Sequence, residues 1–334
     1  MNLTPVAKSN DIFLENCQTI KKQLVHRSAI NEVFLTDMKQ LSDGRYVIAA
    51  QLPRTHIYFN DVINGYYDAT LLLEIFRQVS ICITHRFYNI PYSTKFIFNK
   101  AEFKILNDTF LNNIRIPIEV TIKVNVVDKK RKKESIIGLN LDMSMYVNNC
   151  LCVIKLMDIT WMSDLVCKKL RNKPLISQNL QENKIENEIL CSVKPQEVGH
   201  TFHRNVVIKE LKENFNEIIT SLYIDQSYPG LFDHELDHVL GMVLIEMLKQ
   251  TALISIKKLL NIYAHRLELI ECDVIFFAFC EIKTKTEYSL NKNELKKELL
   301  LNKDKIIKVH LSILQSNKVI TSGSLMFKHV SLIN

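Results

Sequence analysis

Two segments of the chain resemble each other, and each places one acid inside an apolar run. An ionised carboxylate in apolar surroundings is costly unless it is paired or used. The repeat therefore predicts a duplicated module with a polar site built into each of two helices. Each segment holds an acid, a cation three residues later and then a glutamine: Glu74, Arg77 and Gln78 in the first, and Glu246, Lys249 and Gln250 in the second.

The acids and cations suggest proton transfer next to an anion. Burial raises the pKa of a carboxyl group and makes it a better base, so we expect Glu246 and Glu74 to act as catalytic bases or to orient a substrate. Arg77 and Lys249 could then bind an anionic group of a substrate, such as a phosphate or a phosphopantetheine. The alternative is an intrahelical surface pair of Glu246 and Lys249, which the flanking apolar residues argue against.

The approach to the second acid contains further candidates. Gly241 would let a substrate reach the N-terminal amides of the helix, which could form an oxyanion hole. We expect His238 among the catalytic groups and His234 among the substrate contacts; the alternative for each is a helix-entry histidine bonded to backbone. Because this entry keeps His, Asp and Gly together, it favours Glu246 as the working acid. No Ser–His or Cys–His pair is legible, so we expect a reaction without a covalent enzyme intermediate.

Hydrophobic periodicity predicts the same order of elements twice. Two short strands are followed by one long helix, over 68–87 and again over 240–262, and then by long alternating strands, of which one is predicted over 267–284. A long helix wrapped by a curved antiparallel sheet is a hot-dog module, so we predict an α+β double hot-dog fold. The predicted parts are an N-terminal extension (1–24), a first hot-dog domain (25–165), a polar linker (166–195) and a second hot-dog domain (196–334).

Composition excludes several classes of function. The 334 residues suffice for two domains, and only 7 glycines argue against a Gly-rich phosphate loop. The net charge of +7 suits an acidic partner, such as a carrier protein or a phosphorylated metabolite, and does not indicate nucleic acid. None of the 8 cysteines forms a Cys-x-x-Cys pair, and neither a signal peptide nor a membrane-spanning run is present. We expect a reduced, cytoplasmic protein with no metal and no cofactor.

Several motifs, taken in order, resemble the A-factor biosynthesis (AfsA) family. The resemblance runs over nearly the whole chain from about residue 25. The entry to the second helix is also similar to that of 3-hydroxyacyl-carrier-protein dehydratases. The family motifs are HR at 26–27, EVFLTD at 32–37, the segment 68–78, VGH at 198–200 and FDHELDHVLGMVLIE at 232–246.

The resemblance implies a reaction and its partners. An AfsA-like acyltransferase moves a 3-oxoacyl group from a thioester, on acyl carrier protein or coenzyme A, to the hydroxyl of dihydroxyacetone phosphate, a step towards a γ-butyrolactone signal. Arg27 of the HR motif would join the phosphate-binding residues. Lys249, His200 and Leu240 depart from the family's Arg, Arg and Pro, which leaves the acceptor open. The alternatives are a 3-hydroxyacyl-thioester dehydratase or hydratase and a non-catalytic acyl-carrier or ligand-binding module. A monomer or a homodimer is expected, since the duplication already supplies the pairing.

Overall fold

The computed structural model describes residues 13–111, 116–169, 193–213, 216–282, 284–301 and 306–330. The first half contains one long helix and six strands. In chain order these are β1 (Leu35–Ser42), β2 (Arg45–Leu52), α1 (Ala69–Tyr88), β3 (Lys95–Ile105), β4 (Ile118–Lys132), β5 (Ser135–Val147) and β6 (Cys150–Met162).

The second half repeats this order with one added helix. Its elements are β7 (Ile208–Glu213), β8 (Glu217–Leu222), α2 (Gly241–Leu260), β9 (Leu267–Phe276), β10 (Thr286–Asn291), α3 (Lys292–Leu301), β11 (Ile306–Gln315) and β12 (Lys318–His329). The two long helices therefore occupy equivalent places in two similar modules.

One continuous sheet joins the modules. Its order is β1-β2-β4-β5-β6-β3-β9-β12-β11-β10-β8-β7, so the second half of the list repeats the first half in mirror order. The modules meet where β3 pairs antiparallel with β9, with Glu102 opposite Asp273. This pairing gives the molecule an internal two-fold relation, and the helices pack against the inner face of the sheet.

The two long helices differ at their first turns. The side chain of Asp68 caps α1 by accepting a hydrogen bond from the amide of Thr70. Leu240 holds the same position before α2 and provides no side-chain cap. Both helices end at an asparagine in the left-handed conformation, Asn89 and Asn261, a common helix stop. The N-terminal amides of α2 are therefore left without the partner that α1 has.

The predicted helices are confirmed, and one predicted strand is wrong. The strand expected over 267–284 ends at Phe276, and the next residue, Phe277, is 60% exposed. Apolar composition alone suggested continuation there. The short strand β10 and the helix α3 were not predicted. The sequence of α3 is rich in lysine and has no strong apolar face, so its helical pattern is weak. Most of the predicted linker, 170–192, lies outside the described residues. Within the described ranges, no helix combines the length and hydropathy needed to cross a bilayer.

Candidate active site

Glu74 lies at the centre of a buried ion network in the first module. Its Oε2 is 2.7 Å from Nε of Arg77, and its Oε1 is 2.6 Å from Nη2 of Arg27. Gln78 donates a hydrogen bond of 2.9 Å to the same Oε1. The carboxylate has no solvent exposure, so these donors replace water around it.

Glu246 has an equivalent network in the second module. Its Oε1 is 2.9 Å from Nε2 of His200 and accepts a hydrogen bond of 2.8 Å from Gln250. Its Oε2 is 2.9 Å from Nζ of Lys249. His200 thus stands where the first module has Arg27, and Lys249 stands where it has Arg77. The two similar sequence segments therefore form two similar ion networks, one in each module.

Each glutamine fixes the loop that leads into the first strand of its own module. It donates to one backbone carbonyl and accepts from one backbone amide of that loop. The contacts are Gln78 to Glu32 O (2.8 Å) and from Phe34 N (3.0 Å), and Gln250 to Asn205 O (2.7 Å) and from Val207 N (2.9 Å). These loops carry Arg27 and His200, so the glutamines hold both cations over the helices.

Each network is completed by an acid from the opposite module. Asp233, in the loop before α2, accepts a hydrogen bond of 2.7 Å from the amide of Ser28 and lies 3.4 Å from Nη1 of Arg27. Asp61, in the loop before α1, accepts hydrogen bonds from the amides of Thr201 (2.9 Å) and Phe202 (3.0 Å). Both sites are therefore composite, with a helix acid from one module and a loop from the other.

The expectation that the helix acids have raised pKa values is wrong. Burial acts to raise the pKa of Glu74, but the guanidiniums of Arg27 and Arg77 lower it to about 2. Burial opposes ionisation of Glu246 in the same way, and Lys249 and His200 bring its pKa well below the usual range. The partners that reverse the shift come from distant parts of the chain. Neither carboxylate is therefore poised to take a proton.

His200 is an imidazolium in this arrangement. Its Nδ1 faces the backbone oxygen of Asp61 at 2.8 Å and its Nε2 faces the carboxylate of Glu246, so both nitrogens donate. Burial acts to lower its pKa, but Asp61 and Glu246 raise it to about 9. His200 therefore preserves the charge that an arginine would supply.

The two helix cations have different surroundings. Nζ of Lys249 lies 2.6 Å from the carboxylate of Asp68, across the module boundary, and its side chain is 7% exposed. The position equivalent to Asp68 in the second module is Leu240, which has no charge. Within the described part of the chain, Arg77 therefore has no counterpart of the second acid that pairs with Lys249, and its side chain is 17% exposed. Of the two networks, the first has the more accessible cation.

The structure separates the three candidates of the second helix entry. His234 is 39% exposed and lies 2.5 Å from Asp233, which places it beside Arg27 and thus on the side of Glu74. His238 bonds Asp237 at 2.7 Å and packs its ring on Phe279. His234 therefore lies with the first network, and its place in the sequence before α2 does not support the choice of Glu246 as the working acid.

Gly241 is the first residue of α2. A Cβ built there would come 3.4 Å from the ring of Phe276, which is an ordinary contact, so protein atoms do not require a glycine at this place.

Three partners of the networks were missed from the sequence: Asp61, Asp233 and the pairing of Asp68 with Lys249. Asp61 and Asp233 precede their helix glutamates by the same number of residues, which is the signal that could have found them. In the described part of the chain, no three His, Cys, Asp or Glu side chains are grouped as metal ligands.

Comparison with known proteins gives consistent matches. The family model for the A-factor biosynthesis hotdog domain matches residues 11–162 and 181–331. A 2-oxo-3-(phosphooxy)propyl 3-oxoalkanoate synthase of Streptomyces virginiae is 27% identical over 70% of this chain and 76% of its own. The protein of that name from Streptomyces griseus is 23% identical over 69% of this chain and 73% of its own.

Among solved structures, an oleoyl thioesterase from Lactobacillus plantarum has a similar fold. The TM-score is 0.50 at 11% identity, and the match covers 85% of this chain and 97% of the thioesterase. At this identity the likeness concerns the fold alone. Together with the family match, it confirms the predicted double hot-dog architecture.

Proposed function

The chain belongs to the A-factor biosynthesis hotdog family, and from this premise we propose that it is an acyltransferase that esterifies dihydroxyacetone phosphate with a 3-oxoacyl group. The name of the relatives describes that product, an ester between a 3-oxoalkanoate and a phosphorylated three-carbon ketone. Its formation from a thioester requires a phosphate site, an oxyanion site and a base.

The observation that carries the proposal is the difference between Arg77 and Lys249. Lys249 is held by Glu246 and by Asp68, so its charge is already compensated twice. Among the residues that the structure describes, Glu74 is the one acid that forms an ion pair with Arg77, because Leu240 stands where the second acid would be. A planar guanidinium can bind two phosphate oxygens at once. The first composite site therefore suits the acceptor phosphate, with Arg27 and His234 as the neighbouring groups.

The uncapped start of α2 supports an oxyanion site near this phosphate. By the internal two-fold relation, Leu240 and Gly241 correspond to the start of α1, which contacts Lys249 through Asp68. The start of α2 would face Arg77 in the same way. In α1 the amide of Thr70 is bonded to Asp68, whereas α2 has no side-chain cap. Free N-terminal amides and the helix dipole stabilise a developing oxyanion.

The helix acids have a supporting part in this proposal. Glu74 binds Arg77 through Nε and Nη2, at 2.7 and 2.8 Å, and this fork fixes the plane of the guanidinium. Glu246 pairs with His200 and Lys249, and these two cations contact Asp61 and Asp68 of the first module. A dehydratase or hydratase is not favoured, since it needs a histidine beside an acid that can donate a proton, and the cationic partners of Glu74 and Glu246 keep both helix acids ionised.

The test is acceptor-dependent transfer with a matched pair of variants. The protein is incubated with a 3-oxoacyl thioester, on carrier protein or coenzyme A, and dihydroxyacetone phosphate; thiol release and ester formation are followed. Arg77→Lys should raise KM for the acceptor about 10-fold through loss of the bidentate fork. Lys249→Arg, its counterpart, should leave KM unchanged. Binding of the acyl carrier without turnover would show a non-catalytic module instead.

A further inference from the structure

His26 and His85 form a hydrogen-bonded pair next to the first composite site. Nε2 of His26 lies 2.8 Å from Nε2 of His85, and Nδ1 of His85 lies 2.7 Å from the backbone oxygen of Ile90. His26 directly precedes Arg27, whose guanidinium binds Glu74. The pair thus belongs to the same loop and helix as the candidate phosphate site.

The carbonyl of Ile90 determines where the protons lie in both rings. A carbonyl oxygen only accepts, so Nδ1 of His85 must donate to it. In a neutral His85 the other nitrogen then accepts, and Nε2 of His26 supplies the hydrogen. The remaining nitrogen of a neutral His26, Nδ1, is an unprotonated base. Within the described ranges it makes no hydrogen bond to the protein.

The surroundings keep both rings neutral. Burial lowers the pKa of His26 to about 3, and the neighbouring His85, Arg77, Lys95 and His234 act in the same direction. Burial also lowers the pKa of His85. Since an imidazolium at His26 would face four other cationic or titratable groups, the unprotonated form predominates until an anion enters the site.

The ring of His26 is also fixed in position. Its backbone is in the left-handed region, at a φ of 52°, where the turn Lys22–Val25 ends. Non-glycine residues adopt this region rarely, and such conformations are enriched at functional sites. Phe96 packs edge-on against both rings, with centroids 5.2 Å away. These contacts fix the orientation of the His26 ring and therefore the direction in which its Nδ1 points.

We propose that His26 is the general base of the acyl transfer and that His85 is its positioning residue. The inference rests on the proposed function. Nδ1 of His26 takes the proton of the acceptor hydroxyl while that oxygen bonds to the thioester carbonyl carbon. The intermediate then collapses with cleavage of the C–S bond, and the proton passes from Nδ1 to the sulfur of the departing thiol. His85 accepts from Nε2 throughout and stabilises the imidazolium, as an orienting group does for a catalytic histidine.

The acceptor itself would activate this base. Burial is the largest cause of the low pKa of His26, and the neighbouring charges add to it; a phosphate dianion bound by Arg77 and His234 would compensate those charges. The basicity of Nδ1 then rises towards the range in which a general base works at neutral pH. Proton transfer would therefore depend on a bound acceptor, which limits wasteful hydrolysis of the thioester.

The first test uses variants of the full chain. In His26→Gln the side-chain amide can still donate to His85, but the basic nitrogen is lost, so kcat should fall about 10²- to 10⁴-fold while KM for the acceptor changes little. His26→Asn suits the left-handed backbone and should give the same loss. His85→Gln should shift the acidic limb of the pH–rate profile. The exposed His203 offers a matched control, and His203→Gln should behave like wild type. Wild-type kcat in His26→Gln would overturn the inference.

The second test keeps the inference separate from the proposed function. Histidine-specific ¹⁵N NMR of the intact protein, with His26 assigned through His26→Asn, reports the protonation of each ring nitrogen. An unprotonated Nδ1, and a pKa that rises when inorganic phosphate is added, would support the inference even if the chosen thioester gave no transfer. A protonated Nδ1, or a pKa unmoved by phosphate, would overturn it even if transfer is observed.

Discussion

Asp68 and Lys249 form an ion pair of 2.6 Å that joins the start of one long helix to the middle of the other. The first helix thus compensates the cation of the second, whereas the start of the second helix offers Arg77 an uncharged residue, Leu240, at the equivalent position. The internal two-fold relation therefore does not hold at the residues that precede the two long helices, Asp68 and Leu240. Lys249 is therefore paired with two acids in the second network, whereas Arg77 in the first network is paired with Glu74 and is more exposed.

Removal of the bridging cation should destabilise the protein. In Lys249→Met the buried carboxylates of Glu246 and Asp68 lose a shared partner, so we expect a loss of about 3–5 kcal/mol in the free energy of unfolding. Urea unfolding of the variant and of Lys249→Arg measures this, and the arginine variant should retain most of the stability. Equal stability of Lys249→Met and wild type would argue against a structural role.

The stability of the fold should fall as the pH rises through the titration of His200. Its pKa is about 9 in the folded protein and 6.5 for a histidine side chain in water, so the stabilisation is complete below pH 6.5 and is lost as the pH approaches 9. The difference amounts to about 3 kcal/mol. Urea unfolding at pH 6 and pH 9 should show this slope in wild type and a smaller one in His200→Gln. Other groups titrate in both proteins, so an identical slope would show that His200 is not the source.

Glu74 should be dispensable as a proton acceptor. Its pKa of about 2 keeps it ionised and paired throughout the working range. We expect Glu74→Gln to lower stability by about 3 kcal/mol, because two guanidiniums lose their anion. The acidic limb of the pH–rate profile should remain. Disappearance of that limb in Glu74→Gln would instead identify Glu74 as the base.

Gly241→Ala should separate folding from catalysis. The new methyl group meets only the ring of Phe276 at 3.4 Å, and alanine favours the helix by about 1 kcal/mol. The melting temperature should therefore not fall. If the thioester carbonyl approaches the start of α2, the methyl group should obstruct it and lower kcat. Unchanged kcat and KM in this variant would place the oxyanion site elsewhere.

The fold was largely predictable because its signals are local. The helical spacing around Glu74 and Glu246 and the alternation in the long strands each lie within one element. The ion partners of these acids were not predictable in the same way. Asp61 contacts the loop of His200 from the other module, and only the folded pairing brings them together. The sign of the pKa shifts followed from those partners, so a prediction from burial alone was wrong.

The structure brings some of the predicted site residues together and separates others, while their roles stay predictions. Arg27, Arg77 and Glu74 do form one network, as the repeat and the HR motif suggested. His234 joins that network and not the one around Glu246, because the loop before α2 crosses to the first module. From the sequence, a loop is expected to serve the helix that follows it. In a site composed of two modules, the loop instead contacts residues of the other module.

The most direct test of the account is to restore the missing acid. Leu240→Asp should give Arg77 the partner that Lys249 already has, and KM for dihydroxyacetone phosphate should rise about 10-fold or more, since one charged contact contributes about 1.4 kcal/mol or more. Leu240→Asn provides the control, because it adds the same helix cap and loses the same packing without the charge. An increase in KM confined to the aspartate variant is the predicted result. Equal KM values in both variants would contradict the claim that Arg77, which has one acid fewer than Lys249, binds the acceptor.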